Sequence, residues 1–194
     1  AFVRALPAAL QERADSALRS ARRVISKQPD LVLFPSEINS FDWCARVGET
    51  VKEALPEVVT LHGGFHVTSS PEECIARAGV DMLCVGEGDH AVPDLVEALA
   101  AGTDHRNIPN IWVKDEDGTV HRNQPRPLIQ DLDSLPWPDK DLYYGPLPGL
   151  AREYMCVASR GCHWACSFCF YTTLYDLYQQ DDFVRTRSPE HVIG

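Results

Sequence analysis

Short apolar runs alternate with amphipathic stretches from about residue 30 to residue 102, and each run closes on turn-forming residues. Leu31-Val-Leu-Phe34, Val58-Val-Thr-Leu61 and Asp81-Met-Leu-Cys-Val85 read as strands. Between them, Asp42 to Leu55 and Pro71 to Ala78 have apolar residues at helical spacing, and Asp89 to Ala101 follows the third strand. Ser70 reads as an N-cap with Pro71 at the first helical position, and Gly79 and Gly102 read as helix stops. Strands that are apolar throughout and joined by helices imply a parallel sheet covered on both faces, an α/β fold. Upstream, Leu6, Leu10, Ala14, Ala17, Leu18, Ala21, Val24 and Ile25 give residues 1–27 an amphipathic helical pattern. Downstream, Ile111-Trp-Val113, Asp115-Glu-Asp-Gly118 and Thr119-Val120 spell a hairpin with an Asp-Gly turn.

Six prolines fall between Pro125 and Pro148, a density that few regular elements survive. The pattern divides the chain into a domain over 1–124, an extended linker over 125–150 and a further segment over 151–194. In that segment Glu153 to Ala158 reads as a strand, and Ser188-Pro189 as the start of a helix. The N-terminus has neither an initiator Met nor a signal-peptide layout, and the last residues stop just after that helix begins. The sequence therefore reads as an excerpt of a longer chain.

A formal net charge of -10 argues against a broad nucleic-acid or anionic-membrane footprint. No apolar run approaches the roughly 18 residues of a membrane span. Seven cysteines, an odd number, do not follow the spacing of a secreted disulfide scaffold. A reducing cytoplasm is the expected compartment.

Three cysteines carry the strongest chemical signal. Cys162, Cys166 and Cys169 form C-x3-C-x2-C, with Phe168 directly before the third. Three thiolates on one short loop can hold three corners of an iron–sulfur cube and leave the fourth iron open to a small molecule. Two other readings stand beside it. One is a zinc knuckle that adds His163 or a distant histidine, although zinc sites usually show paired C-x2-C units. The other is a set of unrelated buried thiols. Cys44, Cys74 and Cys84 read as small buried hydrophobes.

In doubly wound sheets, ligands bind beyond the carboxyl ends of the strands. Three such ends are visible: Pro35-Ser-Glu-Ile38, His62-Gly-Gly-Phe-His66 and Gly86-Glu-Gly88. Small residues there let the backbone approach a ligand, although a single Gly pair is more often an ordinary turn. His62 and His66 read as hydrogen-bonded structural residues rather than ligands. Trp137 and Trp164 read as domain-packing residues. Arg160 could face a carboxylate or form a salt bridge.

The cysteine run Ser159-Arg-Gly-Cys-His-Trp-Ala-Cys-Ser-Phe-Cys169 resembles the radical S-adenosylmethionine (radical SAM) superfamily. The resemblance implies a 4Fe–4S cluster on Cys162, Cys166 and Cys169, with Phe168 close to the adenine. S-adenosylmethionine would chelate the open iron, and one electron would cleave it to a 5′-deoxyadenosyl radical. A wider resemblance covers about residues 30–194 and is to the class with a preceding cobalamin-binding domain. It rests on Ser36-Glu-Ile38, Gly63-Gly-Phe-His-Val-Thr68, Pro71-Glu72, Gly86-Glu-Gly88, Leu132-Asp-Ser-Leu-Pro-Trp-Pro-Asp139 and Arg185-Thr-Arg-Ser-Pro-Glu190. The Asp-x-His-x-x-Gly element of many cobalamin domains is absent.

This resemblance implies a Rossmann-like (flavodoxin-like) cobalamin-binding domain over 1–124, its first strand missing. The N-terminal portion of a radical SAM partial (β/α) barrel would then occupy 151–194. It assigns cobalamin contacts to Ser36, Gly63, Gly64, Gly86, Glu87 and Gly88, and it identifies no catalytic residue. The implied reaction is methylation of an unactivated carbon in a small-molecule or peptide substrate, with flavodoxin or ferredoxin as electron donor. Other outcomes are cyclisation or rearrangement, a radical SAM methylthiotransferase, or a non-enzymatic flavodoxin-like module with a zinc knuckle.

Overall fold

The computed structural model describes residues 8–152, 156–179 and 183–193. The chain divides into two compact units, Ala1–Arg126 and Pro127–Gly194. In the first unit the elements run α1 (Ala8–Ile25), β1 (Leu31–Pro35), α2 (Phe41–Ala54), β2 (Val59–Gly63), α3 (Phe65–Ser69) and α4 (Pro71–Ile75). They continue with β3 (Met82–Cys84), α5 (Ala91–Ala101), β4 (Ile111–Lys114) and β5 (Val120–His121). The five strands form one sheet in sequence order. β1, β2 and β3 pair in parallel, with Pro35 opposite Gly63 and Gly63 opposite Cys84. β4 adds antiparallel to β3, and β5 antiparallel to β4, the latter as the Asp-Gly hairpin requires.

The sheet is covered on both faces, in keeping with the wholly apolar β1 and β3. On one face Phe34 packs into a cluster with Ala17 and Ala21 of α1 and Cys44, Val47 and Val51 of α2. On the other, Leu61, Met82, Cys84, Ile111 and Val113 meet Ala91 and Leu95 of α5. Strand alternation sends Thr60 and His62 to the face opposite Leu61. At the amino end of the strands, Asp81 Oδ2 accepts hydrogen bonds from Lys52 Nζ (2.8 Å), Thr60 N (2.9 Å) and Thr60 Oγ1 (3.0 Å). This carboxylate joins α2, β2 and β3 at the end away from the glycine turns.

The structure departs from the expected helix Pro71 to Ala78. Two short helices, α3 and α4, flank Ser70, and α4 ends at Ile75. Ser70 adopts φ -137, ψ 54, outside the helical region, because a residue before proline is pushed out of it. Its side chain makes no capping hydrogen bond. The helix expected from residue 89 begins at Ala91 and ends at Gly102, which takes the left-handed conformation.

In the second unit the elements are α6 (Asp141–Tyr144), β6 (Ser159–Arg160), α7 (Tyr171–Tyr178), β7 (Arg185–Thr186) and α8 (Pro189–Ile193). β6 and β7 pair antiparallel. Of the strand expected over 153–158, residues 153–155 lie outside the described residues. Residues 156–158 carry no strand, and the pairing falls at Ser159–Arg160 instead. The proline-rich stretch belongs largely to this unit. Arg185 Nη1 donates to the Ile129 carbonyl at 2.8 Å and Arg187 Nη1 to the Leu132 carbonyl at 2.7 Å. Asp133 accepts from Ser188 N at 3.1 Å, and Trp137 Nε1 donates to the His191 carbonyl. Residues 129–137 are thus laid along 185–191 rather than extended as a spacer.

Candidate cofactor-binding site

The parallel pairing sets the carboxyl ends of β1, β2 and β3 side by side. Ser36, Gly63-Gly64 and Gly86–Gly88, far apart in sequence, therefore meet at one end of the sheet. Ser36 N donates to the Gly63 carbonyl at 2.6 Å. Gly64 has φ 108, ψ -174, a region that is essentially glycine-only. A Cβ there would lie 3.0 Å from the Ser36 carbonyl oxygen. Gly64 and Phe65 are exposed, as are Pro35 and Ile38 at the end of β1.

Ser36 is placed differently from a direct ligand contact. It is fully buried, and its Oγ lies 3.0 Å from His62 Nδ1. The His62 ring stacks on Phe34 (centroids 4.5 Å apart) and meets Phe41 edge-on. Burial pushes the His62 pKa down to about 4, so the imidazole is neutral at physiological pH. Ser36 shapes the turn through its backbone, against which Gly64 rests, while its hydroxyl faces inward.

Thr68 links two of the turns. Its Oγ1 donates to the Gly64 carbonyl (3.0 Å) and accepts from Gly86 N (3.0 Å). The signal available in the sequence was its spacing, one helical turn after Gly64 in Gly64-Phe-His-Val-Thr68. His66 packs edge-on against Phe41. Cys44, Cys74 and Cys84 are buried, and burial raises all three thiols, Cys74 and Cys84 to about 11. These three are inert hydrophobes, as their sequence setting indicates.

In the second unit Cys162 and Cys169 are half-buried, Cys166 is exposed and none is in a disulfide. Among the described residues no group of three or more His, Cys, Asp or Glu is spaced to hold a single metal ion. Phe168 is 91% exposed, so it does not pack beneath the loop. Trp164 and Trp137 are also exposed, and Trp137 leans on the His191 ring.

Residues 10–96 match the model of the B12 binding domain family. The first unit has the B12-binding fold. No curated protein matches the sequence. Solved structures with the same fold include the radical S-adenosylmethionine methyltransferase TsrM from Kitasatospora setae, with tryptophan substrate and a SAM analogue bound. It is 16% identical with a TM-score of 0.65, over 90% of this chain and 35% of that one. The cobalamin-dependent S-adenosylmethionine radical enzyme OxsB, with aqua-cobalamin and S-adenosylmethionine bound, is 20% identical. Its TM-score is 0.63, over 79% of this chain and 21% of that one. The chain thus spans about a third of the length of TsrM and about a fifth of OxsB.

The residues present fit both implied groups. For cobalamin, the glycine turns leave bare backbone at three adjacent strand ends, where a side chain on Gly64 would strain the turn. For an iron–sulfur cluster, the donor set is three thiols on one loop, unblocked by disulfides and reachable from solvent.

Proposed function

We propose that this chain is the cobalamin-binding part, with the beginning of the cluster-bearing part, of a cobalamin-dependent radical SAM enzyme that methylates an unactivated carbon. The carrying observation is the convergence of Ser36, Gly63-Gly64 and Gly86–Gly88 at one sheet end in a B12-binding fold. The C-x3-C-x2-C loop in the second unit supports the cluster half of the reading. The likeness to TsrM covers 90% of the chain, whereas the first unit is only 126 of 194 residues, so it extends into the second unit.

Cobalamin would supply a carrier for a methyl group, and a 4Fe–4S cluster would supply the electron that opens S-adenosylmethionine. This chain's residues have narrower tasks. Gly63 and Gly64 let the backbone lie against the cofactor, and Thr68 locks that turn to Gly86. Phe65, Ile38 and Pro35 offer apolar surface at the same end. In the second unit Cys162, Cys166 and Cys169 would hold three irons, and Phe168, with its ring exposed, is available to an adenine. Substrates are small molecules or peptides, and flavodoxin or ferredoxin is the class of electron donor.

The test is anaerobic purification and reconstitution of the full-length protein with iron, sulfide and hydroxocobalamin. About four irons per cluster and about one cobalamin per chain are expected, with 5′-deoxyadenosine formed on reduction. Cys166→Ala should abolish deoxyadenosine. One zinc per chain with no iron would sink the cluster half, and failure to hold hydroxocobalamin would sink the other.

A further inference from the structure

The carbonyl oxygens of all three loop cysteines are engaged by α7 or by the loop itself. Thr172 Oγ1 donates to the Cys166 carbonyl at 2.9 Å, and Tyr175 Oη donates to the Cys162 carbonyl. Cys169 N also donates to the Cys166 carbonyl (3.0 Å), and Thr172 N donates to that of Cys169 (3.1 Å). Thr172 and Tyr175 are three residues apart, which puts them on one face of α7.

That face is itself anchored. The Tyr175 ring lies against buried Phe183, with centroids 4.3 Å apart. On the other side of Cys162, Gly161 (φ 91) is pressed onto the same residue. A Cβ on Gly161 would fall 2.1 Å from the Phe183 carbonyl oxygen. The first cysteine is therefore held from both sides through Phe183, while none of the three thiols is in a disulfide.

Resting on the cluster reading above, we propose that Thr172 and Tyr175 are positioning residues that preset the backbone of the cysteine loop for its cluster. With the carbonyls tied, gathering three sulfurs requires side-chain rotation rather than ordering of the whole loop, whose entropy is already lost. Each would act through the peptide of a cysteine that would hold the cluster, since what it engages is that cysteine's carbonyl.

The full-length protein, reconstituted anaerobically with iron and sulfide, tests this with Thr172→Val, Tyr175→Phe, the double variant and Thr172→Ser. Iron content, the visible spectrum and the rate of cluster loss to a ferrous chelator are read. The double variant should release its cluster roughly tenfold faster than wild type. Each single variant should lie between them, and Thr172→Ser, which keeps the hydroxyl, should match wild type. Bound hydroxocobalamin reports on the first unit, and the singles carry the test should the double variant fail to fold. Equal release rates in wild type, Thr172→Val and Tyr175→Phe would overturn the proposal, as would a Thr172→Ser variant as fast as Thr172→Val. No iron in the wild-type protein would instead remove the cluster reading on which it rests.

Discussion

His62 shows how one side chain can be both structural and informative. The residue is buried, Nδ1 meets Ser36, and Nε2 has no hydrogen-bond partner among the described residues. Its pKa falls from 6.5 to about 4 on folding because burial disfavours the imidazolium. Between those values the unfolded chain binds the extra proton, so stability is full above about pH 6.5 and declines as pH falls toward 4. The total decline is about 3 kcal/mol, at about 1.4 kcal/mol per pH unit. Asp115 and Asp133 are held below the usual carboxylate value by His121 and Ser188 respectively, so their losses belong to more acidic pH. We expect His62→Leu to be weaker at pH 7 by about 1–3 kcal/mol, because Ser36 loses its partner. Its urea midpoint should nevertheless change much less between pH 6.5 and 4. A variant with the wild-type slope would show that His62 is not the titrating group. The sequence allowed the reading of His62 as a hydrogen-bonded residue. It did not reveal that its partner is Ser36, since that contact depends on the register of β1 against β2.

At the scale of elements, α2 and the turn after α4 cross at two glycines. A Cβ on Gly48 would sit 2.4 Å from the Gly79 carbonyl oxygen, and one on Gly79 would sit 2.3 Å from Glu49 N. Gly48 lies inside a helix, where alanine would ordinarily gain up to about 1 kcal/mol. The backbone contact opposes this, and overpacking of such a site costs about 1–3 kcal/mol. The clash should win, so Gly48→Ala is expected to lower the urea midpoint at unchanged m-value. A raised midpoint would mean that the two segments can separate without penalty. Gly79 was legible as a glycine that the chain needs after α4, although the helix stops earlier, at Ile75. Gly48 was not legible, because nothing local marks a glycine that is small for the sake of another backbone. The strand–helix alternation was legible because period and glycine placement agreed along the chain. The start of α4 at Ser70-Pro71 was legible too, whereas the short α3 before it and the early end of α4 at Ile75 were not. Nor was α7, whose Tyr171-Thr-Thr-Leu-Tyr-Asp-Leu-Tyr178 is rich in residues of middling helix propensity and is held by tertiary contacts instead.

On the scale of the whole molecule, the two units each close their own contacts, and the two candidate sites fall one to each. The first is built of backbone: glycine turns aligned by parallel pairing and tied by Thr68. The second is built of side chains: three thiols on a loop anchored by α7. The cysteine spacing was readable from the sequence because it is local. The meeting of Ser36, Gly63-Gly64 and Gly86–Gly88 needed the sheet order to become visible. Sites with separate supports should fail separately. Gly64→Val places a branched side chain at φ 108, a conformation costing about 1–3 kcal/mol for such a residue, and presses on Ser36. In the full-length protein it should weaken hydroxocobalamin binding roughly tenfold or more while leaving reconstituted iron at the wild-type level. The triple replacement Cys162→Ala, Cys166→Ala, Cys169→Ala should do the reverse, removing the iron and sparing the cobalamin. Equilibrium titration with hydroxocobalamin and iron analysis on the same preparations decide the matter. If either change removed both cofactors, the supports would not be separate, and the two sites would have to be treated as one.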